Sequence, residues 1–224
     1  MINTVIFDLD GLLADTETNW YKVCKELMGS HGKEITLDAY VRDHSGKTIV
    51  DNADLYIKNY ELPLSTEECV EWLITTEMRY VEKGVPMMDG AMELLKYLKE
   101  NGYKVILGTS SKLDRALTIL KGNQADQYFD DFVVGYDVER SKPFPDIFLK
   151  AAEKAGAKPE ECLVLEDSEA GIQAAYAAGI PVICIPDLKQ PSEDFREKTT
   201  AVMESLHDVI EYLRQQEELL LDKD

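Results

Sequence analysis

Asp8 and Asp10 stand two residues apart at the end of a short apolar run, Thr4-Val5-Ile6-Phe7-Asp8-Leu9-Asp10-Gly11. Two carboxylates held this close repel each other unless a cation or a shared proton offsets them. A hard divalent metal, which takes oxygen ligands, would resolve the conflict; two solvated loop carboxylates are the plain alternative. Val5, Ile6 and Phe7 are β-branched or aromatic and read as a buried strand. Strand alternation aims residues i and i+2 the same way, while Gly11 signals a turn. A second apolar run, Leu163-Val164-Leu165, ends in Glu166-Asp167, and a third, Val105-Ile106-Leu107-Gly108, ends in Thr109-Ser110-Ser111. Acidic pairs are common on surfaces, so Glu166-Asp167 is informative only through the strand before it. Thr109 offers a hydroxyl to a ligand or caps the helix that follows. Lys142 lies in Ser141-Lys142-Pro143-Phe144-Pro145, where two prolines stiffen the loop.

The elements around these residues have a rhythm. From about residue 89 helix and strand alternate. Ala91, Leu94, Leu95 and Leu98 have helical spacing, as do Leu113, Ala116, Leu117 and Leu120. Phe132-Val133-Val134 and Val182-Ile183-Cys184-Ile185 are further strands, the latter the last clear one. Ser168 is placed to cap a helix. This βαβα order predicts an α/β fold, a doubly wound parallel sheet covered by helices on both faces. Ligands of such sheets bind outside the carboxyl ends of the strands, so Asp8, Thr109 and Asp167 are expected to converge on one crevice.

Residues 16–84 break the rhythm. Trp20, Val23, Cys24 and Leu27 form one helical stripe, and further helical patterns run near 36–44, 48–60 and 66–82. The reading is a helical insertion, residues 16–84, in a core made of 1–15 and 85–224. Gly84 and Pro86 in a short connection suit a hinge. The chain closes with a helix carrying Leu206, Val209, Ile210 and Leu213, whose acidic end from Gln215 to Asp224 is expected to fray.

With 224 residues, 45% of them hydrophobic and 30% charged, the chain can bury a real core. A net charge of −19 argues against nucleic acid and against an anionic membrane surface as partners. A phosphate ligand would then need a local positive field from metal, Lys and backbone N–H groups. Cys24, Cys69, Cys162 and Cys184 are widely spaced in apolar surroundings and are read as reduced core residues of a cytoplasmic protein. No signal-type segment is evident, and no apolar stretch approaches the ~20 residues of a membrane span.

Asp8-Leu9-Asp10-Gly11-Leu12-Leu13-Ala14-Asp15-Thr16 resembles the first motif of the haloacid dehalogenase-like (HAD) hydrolases. Val105 to Ser111, Ser141 to Asp146 and Leu163 to Gly171 resemble the other three, in the right order, so the likeness spans residues 3 to 186. The pattern is nearest to the branches containing β-phosphoglucomutase and the small sugar-phosphate and nucleotide phosphatases. The resemblance implies a Rossmann-like core with an α-helical cap, Mg2+ as cofactor and a small phosphorylated metabolite as substrate, in a monomer or weak homo-oligomer. It makes Asp8 the nucleophile that becomes an aspartyl phosphate and Asp10 the general acid and base. Thr109, Ser110 and Lys142 would bind the phosphoryl group, and Asp8, Asp10, Asp167 and Glu166 would serve the metal. Gly46 and Lys47 fall where the cap presents a substrate-facing loop, and Trp20 either walls the pocket or packs the core.

Other readings weigh against particular residues. A dehalogenase would lack the Asp at position 10. A receiver-like signalling module shares the sheet and the phospho-Asp chemistry, but this chain is too long for one. A phosphomutase of the β-phosphoglucomutase type would carry an Arg three residues after the cap-loop Gly and a His in the first cap helix. This chain has Ile49 and Trp20 there. Hydrolysis is therefore expected, with the mutase as the alternative.

Overall fold

The computed structural model describes the backbone of residues 1–221 and the side chains of residues 1–219. The chain forms two compact units, one of residues 15–85 and one of residues 1–14 with the chain from Pro86 onward.

The first of these is all helix: α1 (Thr16–Ser30), α2 (Leu37–Asp43), α3 (Ile49–Tyr60) and α4 (Thr66–Lys83). Each helix starts on a side chain that accepts a backbone N–H, in turn Asp15, Thr36, Thr48 and Ser65. These caps satisfy donors that an isolated helix end leaves open. Ser65 and Glu68 complete a reciprocal capping box. Val23, Cys24 and Leu27 of α1 are buried, as are Tyr56 of α3 and Cys69 and Leu73 of α4.

The second unit holds six strands: β1 (Thr4–Phe7), β2 (Lys104–Gly108), β3 (Asp131–Val133), β4 (Cys162–Glu166), β5 (Val182–Cys184) and β6 (Ala201–Val202). They form one parallel sheet in the order β3-β2-β1-β4-β5-β6. All four residues of β1 are fully buried, because helices cover both faces. That is why the strand reads as a continuous apolar run rather than an alternating one. Ile6, Ile106, Val133 and Val164 share a core with Phe148 and Ala151 of α7 (Asp146–Ala155) and Ile172 and Ala175 of α8 (Glu169–Ala177). Helices α5 (Ala91–Glu100), α6 (Leu113–Gly122), α9 (Glu193–Arg196) and α10 (Leu206–Leu221) complete the unit.

Two expectations are corrected here. The sheet has a sixth strand beyond Val182–Cys184: a two-residue pairing on β5 is too short to leave a hydrophobic pattern in the sequence. Helix α10 also continues to Leu221 rather than fraying from Gln215. Its stripe of Leu206, Val209 and Leu213 is buried. Beyond that stripe, Tyr103 donates to Glu217 at 2.6 Å and Arg214 lies over the Tyr97 ring. The last three residues of the expected frayed end, 222–224, lie outside the described residues. All four cysteines are free and buried. Among the described residues no helix is long and apolar enough to cross a membrane.

Candidate active site

The strand order changes direction between β1 and β4, and the residues that follow those strands meet there. The Asp8 N–H donates to the Leu165 carbonyl at 3.1 Å, which ties the end of β1 to β4. The Lys142 ammonium donates to Asp8 Oδ1 and, at 2.6 Å, to Glu166 Oε1. All three side chains are at least nine-tenths buried, and the ammonium also lies 4.8 Å from the centre of the Phe148 ring. Burial alone would lower the pKa of Lys142. The Asp8 and Glu166 carboxylates outweigh that, and its pKa is held above the ordinary lysine value. Burial pushes the Asp8 carboxyl well above the usual carboxylate range; Lys142 works against this, while Glu166 and Asp10 add to it.

Glu166 is the hub. Its Oε2 accepts the N–H groups of Asp167 and Ser168 at 3.0 Å each and the Ser168 hydroxyl at 2.9 Å. The Ser168 oxygen in turn accepts the Gly171 N–H at 3.1 Å and caps α8, as its position in the sequence predicts. Gly171 has to be glycine, since a Cβ there would lie 1.8 Å from the Glu166 carboxyl carbon. Gly11 turns the backbone at φ +75°, and a Cβ there would meet Asp167 Oδ2 at 2.5 Å. The two glycines let the chain close around the carboxylates.

Asp8, Glu166 and Asp167 each present an oxygen, and the three oxygens lie within 4.8 Å of one another. When all three are ionised, three carboxylates against one ammonium leave two negative charges in a largely buried space. An all-oxygen donor set with that deficit suits a hard divalent cation. The Asp10 carboxylate is not in this group. It turns instead to Arg115, whose Nη1 donates to Oδ1 at 2.7 Å, and to the Ser111 hydroxyl, which donates to Oδ2 at 2.6 Å. Arg115 escaped the reading of the sequence. The signal available was a cation in the first turn of α6, where the helix dipole disfavours it.

Thr109 is buried at the end of β2. Its N–H donates to the Val133 carbonyl, and its hydroxyl oxygen accepts the Ser111 N–H at 3.1 Å. It does not cap α6, which starts after Lys112 without a side-chain cap. Ser110 is exposed, with its carbonyl packed against Gly135.

Trp20, Gly46 and Lys47 meet within the helical unit, where they line a cavity of about 120 Å³ with His44, Ile49 and Tyr56. His44 packs against Tyr56 with ring centres 4.3 Å apart and the rings tilted by 31°. Its Nδ1 lies 3.1 Å from Asn52 Oδ1. Tyr56 shares a hydrogen bond of 2.6 Å with the Cys24 sulfur. Burial pushes the Cys24 thiol up to about 12 and the Tyr56 phenol above its ordinary value, so both stay neutral.

Comparison with known proteins agrees with this geometry. Residues 5–185 match the family model described as haloacid dehalogenase-like hydrolase. The chain belongs to this family. It is 31% identical to the phosphorylated carbohydrates phosphatase of Thermotoga maritima, over 80% of this chain and 82% of that one. A Drosophila melanogaster protein named probable pseudouridine-5'-phosphatase is 35% identical over 91% and 89% of the two chains. Among solved structures, the β-phosphoglucomutase of Clostridium difficile superposes with a TM-score of 0.73 at 25% identity, covering 99% of both chains. The doubly wound core is thus the HAD fold, and the chain falls in the branch that holds sugar phosphatases and β-phosphoglucomutases.

Proposed function

We propose that this HAD hydrolase cleaves the phosphomonoester of a small phosphorylated metabolite, a sugar phosphate or a nucleotide-like compound, through an aspartyl phosphate on Asp8. The observation that carries this reading is the Asp8–Lys142–Glu166 array beside Asp167 at the switch point of the sheet. The names of the relatives, phosphatases of carbohydrates and of a nucleotide, support the substrate class.

In this reading Asp8 attacks phosphorus, and its carboxylate oxygen forms the new P–O bond as the ester oxygen leaves. Asp10 gives the leaving oxygen a proton, then takes one from the water that cleaves the acyl phosphate. Lys142 and the Thr109 hydroxyl, with the Ser110 N–H, offset charge on the phosphoryl oxygens. Asp8 and Asp167 would hold Mg2+, with the Asp10 segment beside them. When bound, the ion would neutralise the charge between nucleophile and substrate. Glu166 fits less well as a direct ligand, because its two oxygens already accept four hydrogen bonds. Its part is to hold Lys142 and the turn after β4.

We assign residues 16–84 as the specificity cap, with Gly46, Lys47 and Trp20 as its substrate-facing residues. Phosphomutase activity is the second reading, favoured by the likeness to β-phosphoglucomutase. Ile49 and Trp20 stand where that branch carries a cation and a histidine, so hydrolysis is expected to dominate. The free, buried cysteines fit a cytoplasmic protein, here taken as a monomer or weak homo-oligomer.

A screen of sugar phosphates, polyol phosphates and nucleotides with and without Mg2+ tests the proposal. Phosphate release should need Mg2+ and stop in excess chelator. Full activity in chelator, or isomerisation of β-glucose 1-phosphate faster than phosphate release, would overturn it.

A further inference from the structure

Asp10 cannot do its work from any rotamer. A carboxylate that trades a proton with a bound ester has to be held in one direction before the ester arrives. Three hydrogen bonds supply such a hold. Arg115 Nη1 donates to Asp10 Oδ1 at 2.7 Å and to Ser111 Oγ at 2.7 Å. Ser111 Oγ spends its one proton on Asp10 Oδ2 at 2.6 Å. The result is a closed triangle in which each carboxylate oxygen has its own donor, and the donors are bonded to each other. The carboxylate can neither rotate nor tilt without breaking a bond.

The surroundings argue against an incidental surface pair. The Arg115 side chain is only 12% exposed, whereas the Asp10 side chain keeps 33% of its surface open. The cation is buried and the carboxylate remains accessible to a substrate oxygen. Charge-assisted bonds of this kind are short, directional and stronger than neutral ones. Arg115 also sits in the first turn of α6, an unfavourable place for a cation. The turn between Thr109 and α6 delivers Ser111, so the segment that presents the phosphate-binding hydroxyl also aims Asp10.

We propose that Arg115, acting with Ser111, is the positioning residue for Asp10 as general acid and base. The inference rests on the role given to Asp10 above. Arg115 takes no proton and touches no reacting atom in this assignment; it acts through the direction it imposes on Asp10.

The test uses a series of aryl phosphates of one shape, from 4-nitrophenyl to phenyl phosphate. kcat/KM covers the steps up to formation of the aspartyl phosphate, in which the general acid protonates the leaving oxygen. A good leaving group needs no proton and a poor one does. Arg115→Ala should therefore lower kcat/KM for phenyl phosphate roughly 10- to 100-fold. The loss on 4-nitrophenyl phosphate should be no more than about threefold, with KM for both little changed. Arg115→Lys should recover part of the loss, since it keeps the charge but not the bridge to Ser111. Ser111→Ala should steepen the leaving-group dependence in the same direction, by less. In an Asp10→Asn background Arg115→Ala should cost nothing further. These smaller changes keep the test open should Arg115→Ala fail to fold. Equal losses on both esters, a loss confined to KM, or a full additional loss in the Asp10→Asn background would overturn the assignment of Arg115. If Asp10→Asn itself leaves the leaving-group dependence unchanged, the role of Asp10 falls first and this inference with it.

Discussion

The two units surround their candidate sites with different polar groups. The α/β unit buries charged ones: Lys142 between Asp8 and Glu166, with Asp167 near by. In the helical unit the cavity holds a neutral pair instead, the Cys24 thiol on the Tyr56 phenol, with His44 beside that phenol's ring. The difference separates two tasks. Buried charge is costly unless partners are placed well, and its value lies in acting on a charge that develops during a reaction. Buried neutral groups cost less and give a cavity its shape and hydrogen-bonding pattern. On the proposed function, the α/β unit is the part that reacts and the helical unit the part that recognises.

The comparison is tested most severely at Asp8. Asp8→Asn is nearly isosteric and should lower turnover roughly 10³-fold or more on every substrate, with the far-UV circular dichroism unchanged. It should also alter the pH dependence of stability in the metal-free protein. The folded-state pKa of Asp8 is raised to about 7 from an ordinary value of 3.8. A group raised in this way contributes stability below its unfolded pKa, and that contribution is lost as pH climbs through the folded one. The metal-free wild type should thus weaken between about pH 4 and 7, by a few kcal/mol at most, relative to Asp8→Asn. Urea midpoints that run parallel for the two proteins across this range would contradict the electrostatics given to Asp8.

Lys142→Met comes next. It leaves two buried carboxylates without their ammonium and should cost roughly 3–5 kcal/mol in denaturant unfolding near neutral pH. Adding Asp8→Asn to the same chain should return part of that loss, because one of the stranded charges goes with it. A double variant no more stable than Lys142→Met would show that the ammonium serves packing on Phe148 rather than charge balance.

The smallest effect is expected in the helical unit. Tyr56→Phe removes the hydroxyl that meets Cys24 and should cost about 1 kcal/mol in stability. Its kcat on 4-nitrophenyl phosphate should stay within about twofold of wild type, while relative kcat/KM values across a panel of sugar and nucleotide phosphates shift. A uniform fall on all substrates would erase the division of labour between the units.

Much of this was legible in the residues alone. Val5-Ile6-Phe7 and Leu163-Val164-Leu165 read as buried strands, since short β-branched and aromatic runs bounded by turn signals fit a sheet covered on both faces. The carboxylates after them had to lie at strand ends, and the helical stripes of residues 16–84 marked an all-helical segment. These features are periodic or local, and periodicity survives without coordinates. Three things did not. The two-residue β6 and the docked end of α10 depend on contacts with β5, Tyr103 and Tyr97, partners distant in sequence. The hub role of Glu166 depends on Gly171 admitting its carboxylate where any side chain would clash. The direction of Asp10 depends on Arg115, 105 residues away along the chain. Spacing along a strand places Asp8 and Asp10 together; only the folded chain decides that one turns to Lys142 and the other to Arg115, because a carboxylate follows its donors and the donors come from other segments.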